Sequence, residues 1–171
     1  SGQSTQAESF DLDQPLSLRV AHGAAASPFA AAVQGKTYLC EENPMGITRF
    51  SLEFGEDGAA CFHYWNAQGE QRLEFGMQRN LYGKFPQRGY SDEYGNVHEL
   101  TDFRYDCAAS AGWIEPQKLQ LQVQIIDRYF GGLTITFGFV DETLVGVRMV
   151  KAAEDFLDEY EGWMTGHLSG D

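Results

Sequence analysis

A strict alternation of apolar and polar residues is the feature that most constrains the fold of this chain. Two segments carry apolar side chains at every second position: Leu119, Leu121, Val123 and Ile125, then Leu133, Ile135, Phe137 and Phe139. Successive side chains of a strand point to opposite faces, so a period of two predicts strands with one buried face. We expect Leu121, Val123, Ile135 and Phe137 in the core. The intervening residues Gln120, Gln122 and Gln124 are expected to face solvent or a polar partner.

Further strand signals, separated by short turns, continue through most of the chain. They cover residues 36–43, 47–54, 59–66, 71–75, 97–108 and 144–151, with a less regular region at 76–96. The connections hold turn residues, as in Asn43-Pro44-Met45-Gly46, where Pro fixes φ and Gly accepts a positive φ. About eight strands without alternating helices predict a mainly β fold, an antiparallel meander that forms a barrel or a rolled sandwich.

The last segment of the chain changes its period. Apolar residues fall at helical spacing at Ala153, Phe156, Leu157, Tyr160 and Trp163, and acidic residues take the opposite face. This pattern is typical of an amphipathic helix. We therefore expect a short C-terminal helix over about residues 152–163, packed on the β-body.

The length and composition of the chain favour one domain with short extensions. A chain of 171 residues can bury a single core. Residues 1–34 are rich in Ser, Gln, Ala and Asp and are interpreted as a linker or entry arm, in which Leu16 to Val20 could form a short docked strand. Residues 35–165 are predicted to be the domain, including the helix, and residues 166–171 a tail.

Charge and cysteine content narrow the partners and the compartment. A net charge of −13 would repel the phosphates of nucleic acids and anionic membrane surfaces, so neither is expected as a partner. Cys40, Cys61 and Cys107 form no C-x-x-C pair and are interpreted as buried hydrophobes. The few cysteines and the lack of a signal-peptide pattern at the start favour the cytoplasm.

No catalytic motif is visible in the sequence. The four histidines lack metal-ligand spacing, and there is no G-x-S-x-G, P-loop or dinucleotide-binding pattern. We therefore predict no catalytic residue, no metal site and no cofactor. Aromatic side chains that could line a ligand pocket, or fill the core or an interdomain contact instead, are Tyr64, Trp65, Trp113 and Tyr129.

Several segments resemble, in the same order, the C-terminal domain of β-lactamase-like serine hydrolases, the penicillin-binding-protein-like family. They are Gly35-Lys36-Thr37-Tyr38, Glu42-Asn43-Pro44-Met45-Gly46-Ile47, Phe75-Gly76, Ala108-Ala109-Ser110-Ala111-Gly112-Trp113, Leu133-Thr134-Ile135-Thr136-Phe137 and Ala153-Glu154-Asp155-Phe156-Leu157-Asp158-Glu159-Tyr160. The resemblance covers about residues 35–162. It implies a lipocalin-like β-barrel that packs beside an upstream hydrolase domain of the same parent chain.

The nucleophile of that family does not occur in this chain. Its motif is S-x-x-K, and no serine here has a lysine three residues later. The chain is therefore expected to be a non-catalytic accessory or interaction domain. The alternatives are a small-molecule-binding lipocalin-like barrel, which requires an open lumen, and an independent enzyme, which requires convergent polar groups in a pocket.

Overall fold

The computed structural model describes residues 20–88, 104–126, 130–153 and 160–170. They form one short helix, α1 (Ala30–Val33), and ten strands. The strands are β1 (Thr37–Cys40), β2 (Arg49–Phe54), β3 (Ala59–Asn66), β4 (Gly69–Met77), β5 (Leu81–Arg88), β6 (Arg104–Glu115), β7 (Lys118–Ile126), β8 (Phe130–Asp141), β9 (Leu144–Ala153) and β10 (Tyr160–Leu168). No helix within the described ranges is long and apolar enough to cross a membrane.

The strands form an antiparallel meander that closes on itself. Consecutive strands pair along the sheet except at the step from β4 to β5, and β1 pairs with β10. Parallel pairing of Gly76 and Met77 in β4 with Ser110 and Ala111 in β6 closes a ring of nine strands. The tenth strand, β5, pairs with the first half of β6 on the edge that pairs with β4 further along, and its Phe85 packs against the core. The predicted mainly β barrel is therefore confirmed, and the barrel is closed.

The core follows the predicted alternation. Leu121, Val123, Ile135 and Phe137 are each 1% exposed or less. The glutamines between the apolar residues of β7 point to the outer face, where Gln120 donates a hydrogen bond to Thr136. The prediction for these two strands is confirmed.

The structure shows strands, not a helix, at both ends of the predicted C-terminal helix. Residues 152–153 close β9 and residues 160–163 open β10, while residues 154–159 lie outside the described residues. In β10, Gly162, Met164 and Gly166 are buried and Glu161, Trp163 and His167 are exposed, which is a period of two. The strand continues to Leu168, beyond residue 165. Because the inward positions Gly162 and Gly166 give no apolar signal, the alternation of this strand is not visible in the sequence. The helical spacing of Tyr160 and Trp163 is therefore a coincidence.

β5 and the second half of β6 also differ from the expectation. β5 falls in the region that was considered irregular, because Gly83 and Pro86 interrupt its strand signal. β6 continues to Glu115 through a run of small residues, Ala108 to Gly112, that resembles a turn in the sequence. The sheet therefore has ten strands, not about eight.

Residues 20–24, which we call the strap, cross the outside of β6. The backbone N–H of Ala21 donates to the buried hydroxyl of Ser110 at 2.9 Å. Ala24 and Trp113 exchange two backbone hydrogen bonds, of 2.9 and 2.8 Å. These contacts attach the strap to the barrel wall; the rest of the predicted entry arm before it, residues 1–19, lies outside the described residues.

The chain then covers one end of the barrel, which we call the capped end. Ser27 donates its hydroxyl to the carbonyl of Pro116 at 2.6 Å, and the ring of Phe29 lies 5.3 Å from that of Phe139. Val33 in α1 is fully buried. The opposite end, where the β1–β2 and β3–β4 turns lie, is called the far end.

Candidate functional site

Large aromatic side chains fill the middle and the capped end of the barrel. The ring of Phe137 lies 5.6 Å from that of Phe50 and 5.2 Å from that of Phe62. Phe50 and Phe62 belong to β2 and β3, and Phe137 belongs to β8 on the opposite wall, so these rings bridge the lumen. Tyr38 and Phe139 extend the cluster, which we call the aromatic layer, with ring centroids 5.9 Å apart. This part of the interior is a packed core.

The interior toward the far end has a different lining. Seven side chains share inward positions on β3, β4 and β6 to β9, and we call them the far lining: Tyr64, Gln71, Tyr105, Cys107, Ile125, Leu133 and Met149. Ile125 and Leu133 are only half-buried, whereas the next inward residues toward the capped end, Val123 and Ile135, are each 1% exposed. Side-chain burial therefore decreases along β7 and β8 toward the far end.

The polar groups of the far lining come from β3, β4 and β6. Tyr64 and Gln71 are directly opposite each other across β3 and β4 and are 4% and 7% exposed. Tyr105 is 6% exposed and lies in the half of β6 that pairs with β5. Two buried phenols and a buried amide therefore line the interior.

Burial keeps two cysteine thiols of the barrel, Cys40 and Cys107, in the neutral form. Burial, with a smaller contribution from Asp106, raises the pKa of the Cys107 thiol to about 11. Burial also raises the pKa of Cys40 to about 12. Both thiols are protonated at neutral pH, so they lack the thiolate that nucleophilic attack or metal binding requires. Among the described residues, no three His, Cys, Asp or Glu side chains gather in a way that could hold a metal ion.

Of the four aromatic residues singled out from the sequence, the three that the structure describes do not come together. Tyr64 belongs to the far lining, where its ring stacks on Phe62 at 4.6 Å. Trp65, the next residue, is on the outer face of β3 under the guanidinium of Arg49, 4.2 Å from the ring centroid. Trp113 packs inside at the capped end, and Tyr129 lies outside the described residues. Among the three described residues, Tyr64 alone belongs to the far lining.

The sequence analysis missed the other members of the site. Gln71 shares the parity of Leu73 and Phe75 in β4, so the alternation of that strand could have placed it inside. Tyr105 and Cys107 occupy inward positions of β6. The predicted strand ended at residue 108, so its alternation of inward and outward residues was too short to be recognised. The alternation of inward and outward side chains along each strand is the signal that could have identified Gln71, Tyr105 and Cys107.

The fold was compared with those of known proteins. No protein-family model and no curated protein matches the chain. The crystal structure of apo lipid binding protein 8 from Caenorhabditis elegans is similar, with a TM-score of 0.51 and 4% sequence identity over 78% of this chain and 94% of that chain. A likeness at this identity concerns the fold alone. The chain therefore shares the β-barrel fold of that structure.

The resemblance to hydrolase C-terminal domains implied a β-barrel and a role beside a hydrolase domain, and the comparisons support the β-barrel. The barrel that the resemblance implied is present. Nothing in the comparisons connects the chain with β-lactamase-like serine hydrolases, so the accessory role beside such a domain stays a prediction.

Proposed function

We propose that this barrel binds a small apolar or amphipathic molecule in the far half of its interior. The observation that carries the proposal is the mixed far lining, in which buried phenol and amide groups lie among apolar side chains that become half-exposed at the rim. Sites for small molecules combine a mostly apolar lining with a few polar groups that fix orientation. A closed barrel of this size can enclose one small ligand.

The aromatic layer limits where the ligand lies. Phe50, Phe62 and Phe137 are fully buried and bridge opposite walls. Displacing such rings would forgo packing worth several kcal/mol, since removing one buried phenylalanine side chain costs about 3–5 kcal/mol. The ligand therefore occupies the far half and has the stacked rings of Phe62 and Tyr64 as its floor.

The structural neighbour supports an apolar ligand, because it is named as a lipid binding protein. Because the sequence identity is low, the chemistry of the ligand is inferred from the residues of this chain. The far lining offers hydroxyl and amide groups for a polar end of the ligand, and aliphatic and thioether side chains for its apolar body. Met149 adds an adaptable surface, because a thioether side chain fills irregular gaps.

The chain is proposed to act as a binding protein without catalysis, since it lacks S-x-x-K and its Cys40 and Cys107 thiols are protonated. The accessory role predicted from the resemblance is compatible with ligand binding, but no contact in the structure favours it. A parent sequence with S-x-x-K in an upstream domain would support it.

The proposal is tested by plugging the far lining. Titration of the folded protein with anilinonaphthalene sulfonate, followed by fluorescence, should give saturable binding. Leu133→Trp should abolish that binding, because the indole fills the far half. The matched control is Val140→Trp on the same strand, where the side chain is 68% exposed on the outer face.

The two variants and their folding state decide the result. Circular dichroism and melting curves check that each variant is folded, and Ile125→Trp replaces Leu133→Trp if the latter is not. Binding of equal strength in the plugged and control variants would show that the dye occupies another surface and would overturn the proposal. Absence of dye binding to the unmodified protein would overturn it as well.

A further inference from the structure

Gln71 places a side-chain amide on the otherwise apolar inward side of β4. It shares that side with Leu73 and Phe75, which are 2% and 0% exposed, and is itself 7% exposed. Its register partner on β3, Tyr64, is 4% exposed. Buried glutamines are uncommon, and the large majority of buried side-chain polar atoms have a hydrogen-bond partner. A partner for this amide is therefore expected.

The structure shows no such partner. Within the described part of the chain, the side-chain amide of Gln71 makes no hydrogen bond. Neither of its two polar atoms is completely enclosed, so the amide borders space that a molecule the size of water can reach. A buried amide that stays unpaired destabilises the folded state. The amide of Gln71 is thus placed to be satisfied by a bound molecule.

The chemistry of an amide selects the group that can satisfy it. The carbonyl oxygen accepts hydrogen bonds and the NH2 group donates them, so a full match requires a group that both donates and accepts. A hydroxyl group does both. A carboxylate only accepts and would place its charge beside the carbonyl oxygen of Gln71, whereas an ammonium group only donates and would leave the NH2 group unpaired.

The strands around Gln71 supply no charge that would hold an ion. The described inward residues of β3, β4 and β6 include no charged side chain. Lys151 follows Met149 at the next inward position of β9 and is half-buried, but β9 belongs to the wall opposite β4. An ionic group moved from water to the amide of Gln71 would lose its hydration without gaining a counter-ion from these strands.

We propose that Gln71 selects an amphiphile with an uncharged, hydroxyl-bearing head, of the class of long-chain alcohols, and that this head lies against the Gln71 amide. The inference rests on the proposed binding of a small apolar or amphipathic molecule in the far half of the barrel. It adds the chemical class of the ligand and the residue that recognises its polar end. The apolar body of the ligand then contacts the aliphatic and thioether side chains of the far lining on β7 to β9.

Calorimetric titration with 1-decanol, decanoate and decyltrimethylammonium, each below the concentration at which it aggregates, tests the proposal. The three probes share one alkyl chain and differ in the charge of the head. 1-Decanol should bind roughly tenfold more tightly than either ion. Gln71→Met replaces the amide with an apolar side chain of similar length and should weaken 1-decanol binding by roughly tenfold, with a smaller effect on decanoate. Gln122→Met, at an outward glutamine of β7, is the matched control and should leave every affinity unchanged.

Melting curves without ligand provide a second measurement. Because the amide is buried and unpaired in the free protein, Gln71→Met should melt at or above the temperature of the unmodified protein. The variant would then lose affinity without losing stability, as is typical of a residue kept for binding. A clearly lower melting temperature, or a variant that does not fold, would show that the amide stabilises the fold and would overturn the proposal.

The binding results separate this proposal from the one on which it rests. Decanoate that binds more tightly than 1-decanol, or 1-decanol binding that Gln71→Met leaves unchanged, would overturn the role of Gln71. Loss of decanoate binding in Lys151→Met would then place the polar end at the opposite wall. In each of these cases, saturable dye binding that Leu133→Trp abolishes would still support a ligand inside the barrel. Absence of dye binding to the unmodified protein would overturn both proposals.

Discussion

The aromatic layer and the far lining are two parts of one barrel interior that are built on opposite rules. In the aromatic layer, rings from opposite walls meet at 5.2 to 5.9 Å and are almost completely buried. In the far lining, two phenols, an amide and a thiol lie among apolar side chains, and Ile125 and Leu133 are half-buried. We therefore expect the aromatic layer to contribute more to stability than the far lining.

Small residues on other strands make room for the rings. A Cβ on Gly166 in β10 would lie 3.0 Å from Val145 and 3.3 Å from Phe50. Ala109 and Ala111 occupy inward positions on β6 and are fully buried. Because large and small side chains are matched across the lumen, the aromatic layer reaches the density of a protein core.

The largest effect is expected where the two walls meet. Phe137→Ala should lower the free energy of unfolding by about 3–5 kcal/mol, because the substitution leaves a cavity between Phe50 and Phe62. Denaturant titration measures it. Val140→Ala, on the same strand with an exposed side chain, should change stability by less than about 0.5 kcal/mol. A loss at Phe137 as small as that at Val140 would mean that the rings do not stabilise the barrel.

A pair of leucines sharpens the contrast between the two halves. Leu121→Ala should cost about 2–5 kcal/mol, since this side chain is fully buried in the core. Leu133→Ala should cost clearly less, because half-burial removes less apolar surface from water. Both values come from denaturant unfolding at one pH. If Leu133→Ala were as destabilising as Leu121→Ala, the far half would be as tightly packed as the other.

A smaller effect is expected where the strap lies on β6. A Cβ on Gly112 would collide with the backbone carbonyl of His22, so Gly112→Ala should displace the strap and cost about 1–3 kcal/mol. Limited proteolysis should cut the strap of the variant faster. Gly83→Ala is the control, because a Cβ at that position meets no atom within 4 Å. Equal protease resistance of the Gly112 variant and the unmodified protein would show that the strap contact is unimportant.

Sequence periodicity predicted the strands whose inward positions carry large apolar side chains. β7 and β8 are the clear cases, since every inward residue from Leu119 to Ile125 is aliphatic. β10 was missed because its inner face includes Gly162 and Gly166, which give no hydrophobic signal. The requirement for those glycines comes from the rings on other strands, and a local pattern cannot contain that information.

The candidate site could be predicted only in part, for a related reason. Tyr64 was chosen from the sequence for its aromatic character, and so was Trp65, yet adjacent residues of a strand face opposite sides. Gln71 and Tyr105 line one interior because the sheet closes through the parallel pairing of β4 with β6. That pairing joins strands that are far apart in sequence, so strand periodicity alone does not reveal it.

The smallest expected effect concerns the β8–β9 turn at the capped end. The Asp141 carboxylate accepts hydrogen bonds from the hydroxyl of Thr143 at 2.6 Å and from its backbone N–H at 2.8 Å, and these bonds lower the pKa of Asp141 below its usual value of 3.8. A carboxyl whose pKa is lowered by folding stabilises the folded state at pH values above its unfolded pKa. That contribution is lost as the pH falls through the folded pKa.

Asp141→Asn should therefore melt slightly below the unmodified protein at neutral pH, and the difference should shrink as the pH falls below 3.8. Melting curves between neutral and acid pH measure this change. Thr143→Val removes the hydroxyl donor and should reduce the same pH dependence while leaving the carboxylate in place. A difference between Asp141→Asn and the unmodified protein that is constant with pH would mean that the charge of Asp141 does not contribute to stability.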